Sequence, residues 1–153
     1  MEYPEGDRAV ARIANRLTAA FILRATLVAM TVCEGDLSLT ILLYSIISAN
    51  VDYLDHPPHN ATQFHGVDLD VPDELRRPIS VLALSSSLGF SYETTRRYVN
   101  KLVDLNYCTK VRGGVIVPSS ALNAPRDHEL MFRNLANLRR LYKDLKRFEV
   151  PLD

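Results

Sequence analysis

Between Pro78 and Pro118 two helix-length segments meet at a single glycine, and each opens on a serine. That punctuation leaves few ways to fold. Ser80 stands where a side-chain oxygen can accept from the free N–H groups of a helix start, with Val81, Leu84 and Leu88 on one face. Gly89 follows at once, where a sharp turn needs positive φ, and Phe90 plugs that turn. Ser91 then caps a second helix. Thr95, Tyr98, Val99, Leu102 and Leu105 form its inner face, and Glu93, Arg96, Arg97, Asn100, Lys101 and Asp104 its outer one. Asn106 sits where the chain must leave the helix, since Asn is the best replacement for Gly in the left-handed region. "YCTKV" and "GVIVP" are strand-like runs, and "RGG" between them suits a hairpin turn.

Around this stretch the chain of 153 residues has room for one compact domain, or two small ones. Asp7 to Val32 reads as a long helix with Arg8, Arg12 and Arg16 along one stripe. Gly35 suits its end, and Asp36 or Ser38 can cap the next helix, "LSLTILLYSIISANVDYL", to Leu54. That second helix is apolar almost all round, which predicts burial on most of its faces. Asp55 to Pro78 carries four prolines and no helical pattern and reads as a linker. Asp127 to Phe148 is a helix with Met131, Leu135, Leu138, Tyr142 and Leu145 spaced as a seam for another helix. Its arginines and lysines (Arg133, Arg139, Arg140, Lys143, Lys146, Arg147) read as a solvated face.

The net charge is zero, but the charges are segregated. Val51 to Leu75 holds six acidic residues and no Lys or Arg, whereas Arg76 to Arg112 holds seven Lys and Arg against Glu93 and Asp104. Such local excess is the footprint of a face that meets a polyanion.

Helix, glycine turn, helix and β-hairpin together resemble the winged helix-turn-helix of bacterial transcriptional regulators of the MarR and GntR types. The matching residues are the Ser80-capped helix with Leu84, "LGFS" at the turn, "ETTRRYVNKLVDLNY" as recognition helix and "KVRGGVIV" as wing. Ser85 stands where many members have Ala, and Asn106 where many have Gly. The resemblance implies a mainly α fold with a small β-hairpin, flanked by N- and C-terminal dimerisation helices. It divides the chain into an N-terminal helical hairpin (1–54), an acidic linker (55–77), the DNA-binding module (78–118) and a C-terminal helix (119–153). It implies sequence-specific binding of double-stranded DNA by a homodimer, with recognition helix 91–105 in the major groove and wing 107–117 on flanking backbone. The DNA-contacting residues would be Ser91, Tyr92, Glu93, Thr94, Arg96, Arg97, Asn100, Lys101, Lys110, Arg112 and Gly113. Glu93 could also pair with Arg97 one turn on. The apolar surplus of the helices Asp7–Val32, Leu37–Leu54 and Asp127–Phe148 suits a dimer core and leaves room for a small-molecule effector.

Other chemistries find little support. His56, His59 and His65 match no metal-ligand spacing, and no phosphate-cradling glycine loop, nucleophile elbow or Cys-x-x-Cys is present, so neither enzyme activity nor a cofactor is expected. Cys33 and Cys108 read as reduced thiols of a cytoplasmic protein. The acidic, mixed start "MEYPEGDRAVAR" lacks the basic opening and apolar run of a secretory signal. Two alternatives stay open: a winged helix that binds protein instead of DNA, and a membrane hairpin formed by the first two helices. Arg24, Ser38, Thr40, Ser45 and Ser48 dilute the latter.

Overall fold

The computed structural model describes residues 4–59 and 62–152. The expected segment ends at residues 1 and 153, and Asn60 and Ala61 of the acidic segment, lie outside the described residues. The chain is mainly α-helical with one two-stranded antiparallel sheet. It forms two compact units, one of residues 35–128 and one of residues 1–34 with 129–153.

In the unit of residues 35–128, α2 (Leu37–Val51) starts at Asp36, whose carboxylate accepts from the Leu39 N–H at 2.9 Å. An aspartate cap satisfies one of the four orphan N–H groups of a helix start. Leu39, Leu42, Leu43 and Ile46 of α2 are fully enclosed, against α3 (Val81–Leu88), α4 (Tyr92–Asp104) and the hairpin. The sequence places this helix with the Asp7–Val32 helix, in a hairpin of residues 1–54. A helix apolar on nearly every side carries no directional signal, and α2 belongs instead to the unit that contains the glycine turn. The α-helix ends at Val51 and continues as a 3-10 turn over Asp52–Asp55, short of the single helix expected to Leu54.

The local signals of the 78–118 stretch translate directly. The Ser80 hydroxyl accepts from the Ala83 N–H and Ser91 from the Thr94 N–H, both at 3.1 Å. Gly89 closes α3 at φ 69°, and Asn106 follows α4 at φ 62°. Leu84 of α3 and Thr95, Val99 and Leu102 of α4 are buried together with Cys108. Leu105, expected on the inner face, is 45% exposed. It is the residue on which α4 ends, so its side chain has already left the packed stripe. The strands are shorter than their apolar runs: β1 (Thr109–Val111) pairs with β2 (Gly114–Ile116) in the register Thr109–Ile116 and Val111–Gly114.

A third backbone joins this hairpin. Ile79 exchanges N–H···O bonds with Val115 at 3.0 and 3.2 Å, just before α3 begins. Gly114 makes that approach feasible, because a Cβ there would lie 2.2 Å from the Ile79 carbonyl oxygen. Asn50, wholly buried near the end of α2, ties the pieces together. Its amide donates to the carbonyls of Arg77 (2.7 Å) and Val115 (3.3 Å) and accepts from the Val117 N–H (2.9 Å). Its backbone carbonyl accepts from the Arg77 N–H at 2.9 Å.

The acidic segment is anchored from within. The Arg76 side chain, 1% exposed, pairs with Asp70 at 2.8 Å and Asp73 at 3.3 Å and donates to the Val71 carbonyl at 2.9 Å. Asp73 accepts from the Ser119 N–H at 2.7 Å, and the Tyr53 hydroxyl donates to the Leu75 carbonyl. The Arg77 guanidinium lies 3.5 Å from the Tyr53 ring centroid.

In the other unit, α1 (Glu5–Met30) and α5 (Pro125–Arg147, its first turn in the unit above) replace the expected spans Asp7–Val32 and Asp127–Phe148. They are joined by the Arg24 Nε–H donating to the Asn137 side-chain oxygen at 2.6 Å. On α5 the more enclosed positions are Leu130, Asn134, Asn137, Leu141 and Leu145. The expected seam is one step round the helix and open: Met131, Leu135, Leu138 and Tyr142 are each 41–58% exposed. Only Leu145 of that seam is shielded to an intermediate degree.

Replacement Asn50→Ala is expected to lower the unfolding free energy by about 3 kcal/mol, because the buried Val117 N–H and the Arg77 carbonyl lose their partner together, while the Val115 carbonyl keeps the Ile79 N–H. Urea unfolding of the purified variant checks this, with the midpoint falling at an unchanged slope.

Candidate functional site

α4 and the β1–β2 hairpin carry the eleven residues singled out by sequence, and their side chains divide into committed and uncommitted groups. Ser91 and Thr94 are committed to the helix start. The Ser91 hydroxyl donates to the Thr94 hydroxyl at 2.9 Å while accepting the Thr94 N–H. Thr95, next in sequence, is buried and donates back to the Ser91 carbonyl at 3.0 Å. The cap is thus built of three hydroxyls, which fixes the direction in which the first turn of α4 points.

Glu93 pairs with Arg96 through both carboxylate oxygens, on one guanidinium edge (Nε and Nη2), and not with Arg97 as the i+4 spacing suggests. The hydrogen bond from Arg96 holds the Glu93 carboxyl below its ordinary range, and the same bond raises Arg96. Lys101 reaches across to Asp36 at 3.2 Å, tying α4 to the α2 cap. Asn100 is half-buried. These four positions therefore have structural employment that a helical wheel does not reveal.

Tyr92, Arg97, Lys110 and Arg112 remain. Tyr92 is 52% exposed on the first turn of α4. Arg97, Lys110 and Arg112 are exposed and, among the described residues, form no ion pair. Arg97 lies over the Tyr98 ring at 5.7 Å. β1 is exposed along its length, and Gly113 turns the hairpin at φ 93°. Of the seven basic residues between Arg76 and Arg112, Arg76 is buried and neutralised and two more are paired on the surface. The basic excess of that segment is accordingly smaller on the surface than along the chain. Among the described residues, no hydrogen bond or ion pair links the acidic segment to α4.

The three loop histidines do not converge. His56 pairs with Asp52 at 3.5 Å, His65 with Asp55 at 3.4 Å, and His59 stands edge-on to Tyr53. Among the described residues no group of three or more metal-ligating side chains gathers anywhere. Sequence reasoning missed Asp36 as the partner of Lys101 and Arg126 as the donor to the Tyr107 hydroxyl at 3.0 Å. Neither pairing has a local signal, since the partners stand far apart along the chain.

Asp36 gives this site a pH signature. The Leu39 N–H chiefly, and Lys101 after a smaller opposing effect of burial, hold its carboxyl below 3.8. A depressed carboxyl stabilises the fold at neutral pH, and that contribution fades as pH falls through the depressed value. Asp36→Ala should therefore cost roughly 1 kcal/mol near pH 7, typical of a removed N-cap, and progressively less below pH about 4. Asp36→Asn, which keeps an acceptor at the cap, should lose only the Lys101 pair. Denaturant midpoints measured across pH for the three proteins check both statements. No protein-family model, curated protein or solved structure matches this chain, and its functional reading rests on the geometry above.

Proposed function

We propose that residues 37–118 are a winged helix-turn-helix module and that the protein is a cytoplasmic, homodimeric, sequence-specific DNA-binding regulator of transcription. In this reading α2 is the first helix of the module, Ile79 the short third strand, α4 the recognition helix and β1–β2 the wing. The observation that carries it is the pairing of two exposed elements: a capped α4 presenting Tyr92 and Arg97, and a hairpin presenting Lys110 and Arg112, with no carboxylate on those three cations among the described residues.

The reading assigns unequal roles to the candidate residues. Tyr92 and Arg97 approach base edges and phosphates from the start of α4, since a recognition helix contacts bases with its N-terminal residues. Lys110 and Arg112 neutralise flanking phosphates, and Gly113 lets the wing tip approach the backbone. Arg96 exchanges Glu93 for phosphate or guanine on binding. Exposed pairs of this kind are worth only about 0–1 kcal/mol, so the exchange costs little. Ser91, Thr94, Asn100 and Lys101 support α4 and touch DNA secondarily.

The homodimer reading is supported by apolar surface left open in the unit of residues 1–34 and 129–153. Ile22, Leu23 and Leu27 on α1 are 55–61% exposed, and Met131, Phe132, Leu135, Leu138 and Tyr142 on α5 are 41–58% exposed. Exposed apolar side chains in this number are what an interaction surface would supply. A twofold dimer would set two recognition helices roughly 34–36 Å apart on a near-palindromic site. α1 and the helical segment Leu37–Asp55 also have the length and composition to cross a bilayer, so a membrane hairpin is the rival destination for their apolar side chains.

Two experiments decide. Selection of DNA fragments by the purified protein should enrich an inverted repeat. Arg97→Ala with Arg112→Ala should weaken binding to it and reduce the log–log salt slope by about 0.9 for each phosphate no longer neutralised. Absence of DNA retention at low salt would move the module to protein binding. In sedimentation the protein should be a dimer and Leu138→Asp a monomer with unchanged helicity. Recovery of the native chain only from detergent-extracted membranes would assign α1 to a bilayer.

A further inference from the structure

The unit of residues 1–34 and 129–153 holds a cleft of about 430 Å3 between α1 and α5, lined by Arg24, Leu27, Val28, Arg133, Ala136, Asn137 and Arg140. It is a shallow groove, open to solvent over most of its extent. Its lining is divided chemically: three guanidinium groups and one amide stand beside Leu27, Val28 and Ala136.

Three features set these arginines apart from surface dressing. Asn137 is 8% exposed and accepts the Arg24 Nε–H at 2.6 Å, while its own amide nitrogen donates to the Phe21 carbonyl at 3.4 Å. One edge of the Arg24 guanidinium is therefore held by the fold, and its terminal nitrogens make no hydrogen bond within the described chain. Secondly, Arg133, Asn137 and Arg140 follow one another at helical spacing along a single stripe of α5, so both flanking charges are directed by the same backbone as the residue that fixes Arg24. Thirdly, no carboxylate answers them. Glu129 and Asp144 stand one turn beyond on α5, yet among the described residues Arg24, Arg133 and Arg140 form no ion pair.

Like charges gathered on a partly enclosed surface repel one another, and a counter-ion relieves that repulsion. A guanidinium held along one edge, with its remaining donors open, matches a planar carboxylate in two parallel hydrogen bonds and loses little freedom in making them. The aliphatic wall would cover an apolar body attached to that carboxylate. We propose that the α1–α5 cleft binds an amphipathic organic anion, its carboxylate held by Arg24 with Arg133 and Arg140, and its apolar part on Leu27, Val28 and Ala136. The inference stands apart from the DNA-binding residues, because the site lies wholly within residues 1–34 and 129–153 and its assay contains no DNA, although Leu27 also belongs to the surface assigned above to the dimer.

Calorimetric titration of the full chain with octanoate, octanamide and inorganic phosphate tests it. Octanoate is expected to bind, with octanamide and phosphate each weaker by roughly tenfold or more, since the first lacks the charge and the second the apolar body. Arg24→Gln and, on the exposed side, Arg140→Glu should each weaken octanoate by roughly ten- to a hundredfold. Arg140→Glu leaves the Arg24–Asn137 hydrogen bond untouched and keeps the test informative if Arg24→Gln fails to fold. No binding of octanoate, equal binding of octanamide, equal binding of phosphate, or full affinity in Arg140→Glu would each overturn the proposal. So would a loss of DNA affinity in Arg140→Glu accompanied by no octanoate binding, which would give the cleft to nucleic-acid backbone.

Discussion

The unit of residues 35–128 depends on one buried amide. Asn50 sits near the end of an otherwise greasy helix, where water cannot reach the backbone that passes it. Three segments meet there: the chain before α3 at Arg77, the middle of β2 at Val115, whose carbonyl also accepts from Ile79, and its exit at Val117. A single side chain with two donors and one carbonyl serves all three. The consequence extends to the hairpin. With Val115 and Val117 fixed to α2, and Ile79 fixed to Val115, the tip carrying Arg112 is held to the helical core at its base and cannot swing freely about the end of α4. The exposed cations on α4 and on the hairpin thereby belong to one relatively rigid body.

Charge is managed by the same economy of placement. The acidic segment folds around Arg76, which is taken out of solvent with Asp70 and Asp73 as counter-ions. Removing a guanidinium from water is costly, and close carboxylates with a backbone carbonyl offset that cost only when the geometry is close. Here all three lie within 3.3 Å. The arginine thus organises residues 70–76 and, through Asp73, the Ser119 backbone. A count of basic residues along the sequence treats Arg76 and Arg97 alike, although one is a structural anchor and the other faces solvent.

How much can be read in advance follows from the range of each interaction. Caps and turns are local: Ser80, Ser91, Gly89 and Asn106 act within four residues, so the course of the chain from α3 to β2 is legible to within two or three residues at each boundary. The allegiance of α2 is not. Amphipathicity points a helix toward its core, and a helix apolar all round points nowhere, so the two-helix hairpin expected over residues 1–54 meets no sequence signal that contradicts it. Asn50 resembles one more polar interruption. Glu93 has two arginines at helical reach, and only the folded geometry distinguishes i+3 from i+4. Arg24 reads as a break in an apolar run, and Arg133 and Arg140 read as solvated dressing, yet they meet across two helices over a hundred residues apart in sequence.

The pairing of basic residues on α4 with acids of the protein itself does not oppose the regulator reading, and its magnitude argues the reverse. An exposed ion pair contributes about 0–1 kcal/mol, whereas a phosphate contact adds the entropy of counter-ion release and raises the salt dependence accordingly. Under the regulator reading, exchange of Glu93 for phosphate at Arg96 would therefore be favourable, though by less than at an unpaired arginine. That difference is useful to a sequence-specific binder. Non-specific affinity arises almost wholly from phosphate contacts, and a carboxylate held beside the recognition helix lowers it on every sequence alike. Under that reading base contacts near the helix start would be less affected, because among the described residues neither Tyr92 nor Arg97 forms an ion pair with a carboxylate. A nearby carboxylate on Arg96, and an Asp36 tether on Lys101, would thus shift the balance from backbone attraction toward base recognition. A chain of zero net charge can sustain that balance only if its few uncommitted cations are well placed.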